Sequence, residues 1–344
     1  MTAGLRYDEL AGLSCPKCEA RDSWKLVGRV TNRLNSKTAF ASCERCGERI
    51  FVKKLLPSMG ESAEACAAQE FATATWLDRA FRDKTAIGVV HPLARLSAVI
   101  AFEFIDGRTV SEILRSGTFA EQQLAMMAAG SWFAHFHESS AEVSGSGDFI
   151  DKFGVIANRC AADSHLPAIA DVALAYLRDG ATRKLADRAL SMARVHGDAK
   201  PDNFILAGDR LLAIDVDGRF SNIGEMDLAQ FLVQSSIAQS NLIGFLDDGI
   251  AQILEFSFLQ GYERFRAADR EALAWMTIYF WLSFWMSARE RGRLQSLRLN
   301  ALFNQRLDVC LRSIDVSLSL RPPDLALPEE SPVGSRPTNA RLRH

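Results

Sequence analysis

With 344 residues, 48% of them apolar, the chain can bury one large or two moderate cores, which argues against disorder throughout. Its 40 Lys and Arg against 42 Asp and Glu give a formal net charge of −2, which lends no support to a protein dominated by phosphate-backbone binding but leaves a local anion site open. The start MTAGLRYDELAGL lacks an apolar secretory segment, and no run of 18 uncharged apolar residues appears, so a cytoplasmic protein without a membrane span is expected.

The first pattern along the chain is CPKC (Cys15, Cys18), followed after about 24 residues by CERC (Cys43, Cys46). Without an export signal, two CxxC pairs read as thiolate knuckles better than as a disulfide framework. Four thiolates suit a closed, structural Zn²⁺ site with no position left for a reacting water. Redox-active pairs are the competing reading. The segment SWKLVGRVTNRLNSKTAFAS predicts two strands around a turn at Asn35 and Ser36, with the second knuckle as the next turn and RIFVKKL as a third strand. In that strand Lys53 shares a face with Phe51 and Leu55, and Lys54 shares the other with Ile50 and Val52. Either lysine reads equally as a plain solvent-facing charge.

Glu61 to Phe81 predicts a helix carrying Glu64 and Glu70; AVIAFEF, ending near Glu103, predicts a strand. TVSEIL then opens a helix with Thr109 as cap and Glu112 three residues later. The change from β-rich to helical sequence near Glu103 divides the chain into an N-terminal lobe over 1–102, a helical lobe over 103–318 and an irregular, Pro-rich, flexible tail over 319–344. EQQLAMMAAGSWFAHFHESS predicts a core helix on which His135 and His137, two apart, lie on different faces, against a paired metal site. A loop at 144–147 and helices over 166–176 and 182–194 follow. Further helices are expected over 227–236, 243–265, 268–287 and 294–318. In the third of these, the run IYFWLSFWM fills the core or lines a pocket. Tyr262, Glu263, Asp269 and Glu271 read as receivers of an amine-bearing substrate or as surface charges.

The segment VHGDAKPDNFILAGDRLLAIDVDG combines an irregular loop with two short strands around a Gly208-Asp209 turn. If the loop folds back, Asp198, Asn203 and Asp215 converge on one cavity. Hard oxygen ligands beside a carboxylate that orients a hydroxyl are what a magnesium nucleotide requires. Asp202 and Asp209 read as loop and turn chemistry.

HGDAKPDN followed by IDVDG resembles the phosphotransfer signature of protein kinases and of small-molecule kinases of the aminoglycoside phosphotransferase and choline kinase type. The resemblance implies an α+β, bilobal, protein-kinase-like fold with a small antiparallel β-rich N-lobe and a large helical C-lobe, to which the four-cysteine zinc clasp is an addition. It implies ATP and Mg²⁺ as cofactors, His196 as the catalytic-loop histidine, Asp198 as the group that orients the substrate hydroxyl, and Asn203 and Asp215 as magnesium ligands. Lys53 matches the phosphate-binding lysine, Glu70 its helix partner, and Glu103 the hinge that contacts adenine. Asp217 and Arg219 are auxiliary candidates. Lys200 is closer to the protein-kinase loop and would neutralise the transferring phosphoryl group or hold the loop. The first hairpin lacks GxGxxG, so the phosphate cover would depend on Gly28, Thr31, Asn35 and Ser36. No APE segment follows IDVDG, which favours the hydroxyl of a small molecule, such as an aminoglycoside, amino alcohol or sugar-like metabolite. The competing reading is a nucleotide-binding pseudokinase or a regulatory protein kinase with a protein partner. A nucleic-acid partner is not expected from a near-neutral chain, and nothing in the sequence sets the oligomeric state.

Overall fold

The β-formers of the N-terminal third pair into an antiparallel meander: β1 (Trp24–Asn32), β2 (Ser36–Cys43) and β3 (Arg49–Leu55). The computed structural model describes residues 7–58, 60–140, 142–143, 149–161, 167–175, 177, 190–218, 220–240, 246–290 and 297–319. The first turn closes earlier than expected, because Ser36 is already strand and the Arg33 amide donates to Ser36 O at 2.8 Å. Ser62 caps α1 (Ala63–Ala80) by accepting from the Ala65 amide. After β4 (Ile87–Val89), β5 (Pro92–Leu96) and β6 (Val99–Glu103) complete a five-stranded sheet in the order β1-β2-β3-β6-β5. One face of this sheet buries Trp24, Ala41, Ile50 and Val52 with Cys15 and Cys43. So few apolar side chains make a marginal core, which is where a metal staple has most effect.

β7 (Arg108–Thr109) leads into α2 (Val110–Ser116), and Thr109 and Glu112 form the expected capping box. A second box, Thr118 with Glu121, starts α3 (Phe119–Ser139). Next come β8 (Glu142–Val143), α4 (Phe149–Ala161) and α5 (Ala168–Ala175). β9 (Ser191–Arg194) corrects the sequence expectation of a helix reaching Arg194, the earlier residues 178–189 lying outside those described. β9 pairs with β8 on one side and with β12 (Ser221–Ile223) on the other, and such long-range pairing overrides the helical preference of a short segment. Between them stand β10 (Phe204–Ala207) and β11 (Arg210–Ala213).

The chain finishes with α6 (Glu225–Gln239), α7 (Asp248–Glu263), α8 (Arg270–Glu290) and α9 (Leu297–Ser319). The aromatic run of α8 is core: Trp275, Trp281 and Trp285 are each at most 2% exposed. Among the described residues no helix is long and apolar enough to cross a membrane. The expected loop at 144–147, the segment 241–245 and the tail from 320 lie outside the described residues. β4 comes from the N-terminal segment yet pairs in parallel with β11, in a sheet ordered β4-β11-β10-β7. The two expected lobes therefore share one sheet.

Candidate active site

The β10–β11 hairpin pairs Phe204 with Ala213, and just outside that pair the Ile214 amide donates to Asn203 O at 2.9 Å. That bond sets Asn203 beside the residue preceding Asp215, so a loop residue and a strand-end residue meet at the foot of the hairpin. The loop from His196 to Asn203 is held from below by Asp227 on α6. The amides of His196 (2.6 Å) and Gly197 (3.4 Å) donate to its two oxygens, and His137 Nε2 lies 3.1 Å from Oδ2. The other ring nitrogen of His137 lies 3.2 Å from the Tyr262 hydroxyl, and both side chains are fully buried. Asp227, 1% exposed, thus ties the backbone of this loop to α3. Gly197 has φ +83°, and a Cβ there would stand 3.2 Å from Asp217 Cβ, so the close passage of the two segments requires glycine.

Lys53 is buried and paired, which decides against a solvent-facing charge. Its ammonium donates to Glu70 at 2.7 and 2.8 Å and to Asp215 Oδ1 at 2.9 Å. Burial works against this ammonium, but Asp215 and Glu70 outweigh it and raise its pKa above the ordinary value. Burial likewise pushes Asp215 up, and the Lys53 and Arg33 charges more than reverse it, so Asp215 stays ionised below the usual carboxylate range. Glu70 goes the other way, because burial and the Asp215 charge outweigh the pull of Lys53. Asp215 itself sits at φ 57°, a strained conformation for a residue with a Cβ.

Across the cleft, Lys200 forms an ion pair with Asp198, and Asn203 Nδ2 donates to Asp198 O (2.9 Å) and Oδ2 (3.1 Å). These bonds leave Asn203 Oδ1 buried and without a hydrogen-bond partner among the described residues. A buried orphan carbonyl beside an ionised Asp is a donor set that fits Mg²⁺, which takes oxygen ligands. A cleft of about 350 Å³ is lined by residues that include Arg33, Lys53, Glu70, Asp198, Lys200 and Asp215, while the fully buried Asn203 is not in its lining and reaches it through Asp198. His196 is neutral: burial lowers its pKa, and the Asp198 amide donates to its Nδ1 at 3.4 Å.

No protein-family model matches the sequence, and no curated protein matches it closely enough to count as a relative. Solved structures do match. A choline/ethanolamine kinase family protein from Mesorhizobium loti aligns with a TM-score of 0.53 at 17% identity, over 85% of this chain and 92% of its own. A choline kinase from Cryptosporidium parvum aligns with 0.53 at 9% identity, over 91% and 94%. The fold is that of the choline kinases. An amicoumacin kinase in complex with AMP-PNP, Ca²⁺ and Ami shares it, with a TM-score of 0.53 at 15% identity over 90% and 91% of the two chains.

Within this choline kinase fold not every expected residue joins the cleft. Glu103 ends β6 with an exposed side chain, its amide donating to His91 O at 3.0 Å, and it is not among the residues lining the cleft. Tyr262 is sequestered under Asp227, Glu263 pairs with Arg270 on the surface, and Asp269 Oδ1 accepts from the amides of Glu271 and Ala272 at the start of α8. None of Tyr262, Glu263, Asp269 and Glu271 lines the cleft. Arg219 lies outside the described residues. The sequence reading missed Arg33, whose Nη1 lies 3.5 Å from Asp215 Oδ2.

The four cysteines of the two knuckles form a second centre. Cys15 and Cys18 precede β1, Cys43 ends β2 and Cys46 lies in the following turn. All four sulfurs lie within 4.8 Å of one another, with Cys15 and Cys46, and Cys18 and Cys43, each 3.6 Å apart. A tetrahedron with Zn–S bonds of about 2.3 Å has S···S edges of about 3.8 Å, so the spacing fits one zinc ion and is too long for disulfides. The Ser23 hydroxyl, 3.3 Å from Cys43 Sγ, pulls that thiol down to about 6. A bond from the Glu48 backbone draws Cys46 down, but desolvation and the neighbouring thiols push it up to about 12. Cys43 and Cys46 are thus pushed in opposite directions, and a divalent cation would favour the thiolate at both.

Proposed function

We propose that the chain is an ATP- and Mg²⁺-dependent phosphotransferase that moves the terminal phosphoryl group to a hydroxyl of a small molecule, of the aminoglycoside, amino alcohol or sugar-like class. The observation that carries this reading is the meeting of Asp198 and Asp215 in one cleft with the buried Lys53–Glu70 pair, the buried Asn203 being hydrogen-bonded to Asp198. Structural neighbours named as choline and amicoumacin kinases, one of them with AMP-PNP, support it. Residues 1–102 would form the nucleotide lobe and 103–318 the catalytic and acceptor lobe.

Asp198 orients the acceptor hydroxyl and takes its proton late in an in-line displacement. Lys200, paired to Asp198 in this structure, is placed to meet charge developing on the transferred group. Lys53, fixed by Glu70, positions the upstream phosphates. Asn203 and Asp215 would hold Mg²⁺, which supplies charge neutralisation on the phosphates when bound. The four-cysteine centre holds a structural zinc in this reading, and reduced thiols with ATP chemistry suit the cytoplasm.

A phosphoryl-transfer screen over hydroxyl-bearing metabolites, with Asp198→Asn as control, tests the reading. Turnover of at least one acceptor should fall ~10²- to 10⁴-fold in the variant while the circular dichroism spectrum is unchanged. Wild-type turnover by Asp198→Asn would remove Asp198 from its role. Nucleotide binding with no transfer to any metabolite would favour the pseudokinase.

A further inference from the structure

The turn between β1 and β2 covers the cleft without a glycine-rich phosphate loop, and its most conspicuous cleft-facing group is a guanidinium. Three bonds fix the short backbone there: the Arg33 amide to Ser36 O at 2.8 Å, the Leu56 amide to Asn35 O at 3.0 Å, and the strand pairing of Ser36 with Leu55. From this braced turn the Arg33 side chain, 46% exposed, reaches back to Asp215 Oδ2 at 3.5 Å. The other oxygen of Asp215 belongs to Lys53. A guanidinium offers five donors in a planar fork suited to phosphate oxygens, and the long contact to Asp215 uses one edge of it. A metal ion on Asp215 Oδ2 would compete with the Arg33 cation for that oxygen, because the two positive charges repel.

We propose that Arg33 is a phosphate-binding residue that exchanges partners: it neutralises Asp215 in the free protein and moves onto the β- and γ-phosphates when the metal nucleotide takes Asp215. It thereby does with a side chain what backbone amides do in a glycine-rich loop. The inference rests on the kinase reading above and adds to it a cation with two alternative anionic partners. Two binding affinities must then respond in opposite directions when Arg33 is removed. A residue that only stabilised the turn would weaken every ligand alike.

The test is equilibrium binding to wild type, Arg33→Ala and Arg33→Lys, without turnover. Calorimetry reads Mg-ATP and AMP, and the paramagnetic signal of free Mn²⁺ reads metal binding in the absence of nucleotide. Arg33→Ala should bind Mg-ATP about ten-fold or more weakly, leave AMP unchanged, and bind Mn²⁺ alone more tightly, since Asp215 loses a competing cation. Arg33→Lys should recover part of the Mg-ATP affinity, because charge returns without the planar fork. Equal losses for ATP and AMP, or affinities unchanged throughout, would overturn the role of Arg33 and leave the kinase reading standing. Wild-type protein that binds no nucleotide would overturn both.

Discussion

Asp215 answers to Lys53 on one oxygen and Arg33 on the other while its backbone is held at a positive φ. Strain of this kind persists only where the surroundings over-determine it, and here two cations and the hairpin supply that determination. His196, in the loop that meets the Asp215 strand, is one histidine whose titration should couple to folding. Burial first, against the pull of Asp227 and Asp198, lowers its pKa below 6.5 in the folded protein. The unfolded chain therefore binds more protons between that depressed value and about 6.5, so stability rises with pH through this window and then levels off. Urea midpoints measured at pH 5 and pH 7 should differ in wild type and differ less in His196→Asn. Equal pH dependence in both proteins would assign the effect elsewhere. At this scale the sequence was informative wherever partners lie close along the chain, as with Asp198, Asn203 and Asp215. Arg33 was illegible because its contact with Asp215 spans 182 residues.

The element contact that most constrains the site is the crossing of α3 and α7. A Cβ on Gly130 would stand 1.9 Å from Phe258 O, and one on Gly261 would stand 2.0 Å from Met127 O, so the two backbones touch. α3 carries His137 and α7 carries Tyr262, the pair that holds Asp227 under the loop from His196 to Asn203. Gly130→Ala should consequently lower stability by about 3 kcal/mol or more, since the clash is with backbone and cannot be relieved by a rotamer. It should also depress transfer activity at temperatures where the protein remains folded. Thermal unfolding and activity measured on the same preparation check both; an unchanged melting temperature would show that the helices separate cheaply. Composition disclosed both helices, but not their proximity, because a glycine inside a helical run reads only as a weak position. The strand Ser191–Arg194 shows the complementary failure. Its identity comes from Glu142–Val143 and Ser221–Ile223, and no local window contains those partners.

Across the whole molecule, the order of elements was legible because the N-terminal strands alternate and the C-terminal helices are long, two periodicities that are hard to confuse. The shared sheet was not, since Ile87–Val89 is too short to announce itself and pairs in parallel with a distant strand, Arg210–Ala213. Zinc makes a separate prediction at this scale. Protein purified without added metal should hold about one zinc per chain by elemental analysis, the count for one four-thiolate site. Folded protein free of metal would reject it.

The hairpin of β1 and β2 has the knuckles at one end, where Trp24 pairs with Cys43, and the cleft at the other, where Asn32 pairs with Lys37. The length of β1, at about 3.3 Å per residue, separates those ends by roughly 26 Å. Stripping the metal would loosen the anchored end first and let the far end wander, while the helical core, which shares none of those thiols, stays intact. Chelation should therefore weaken Mg-ATP binding before it diminishes the helical signal. If the proposed zinc and nucleotide roles hold, a zinc-starved chain would keep its folded helices while its N-terminal hairpin lost its grip on nucleotide, so that trace-metal supply becomes a throttle on phosphate traffic.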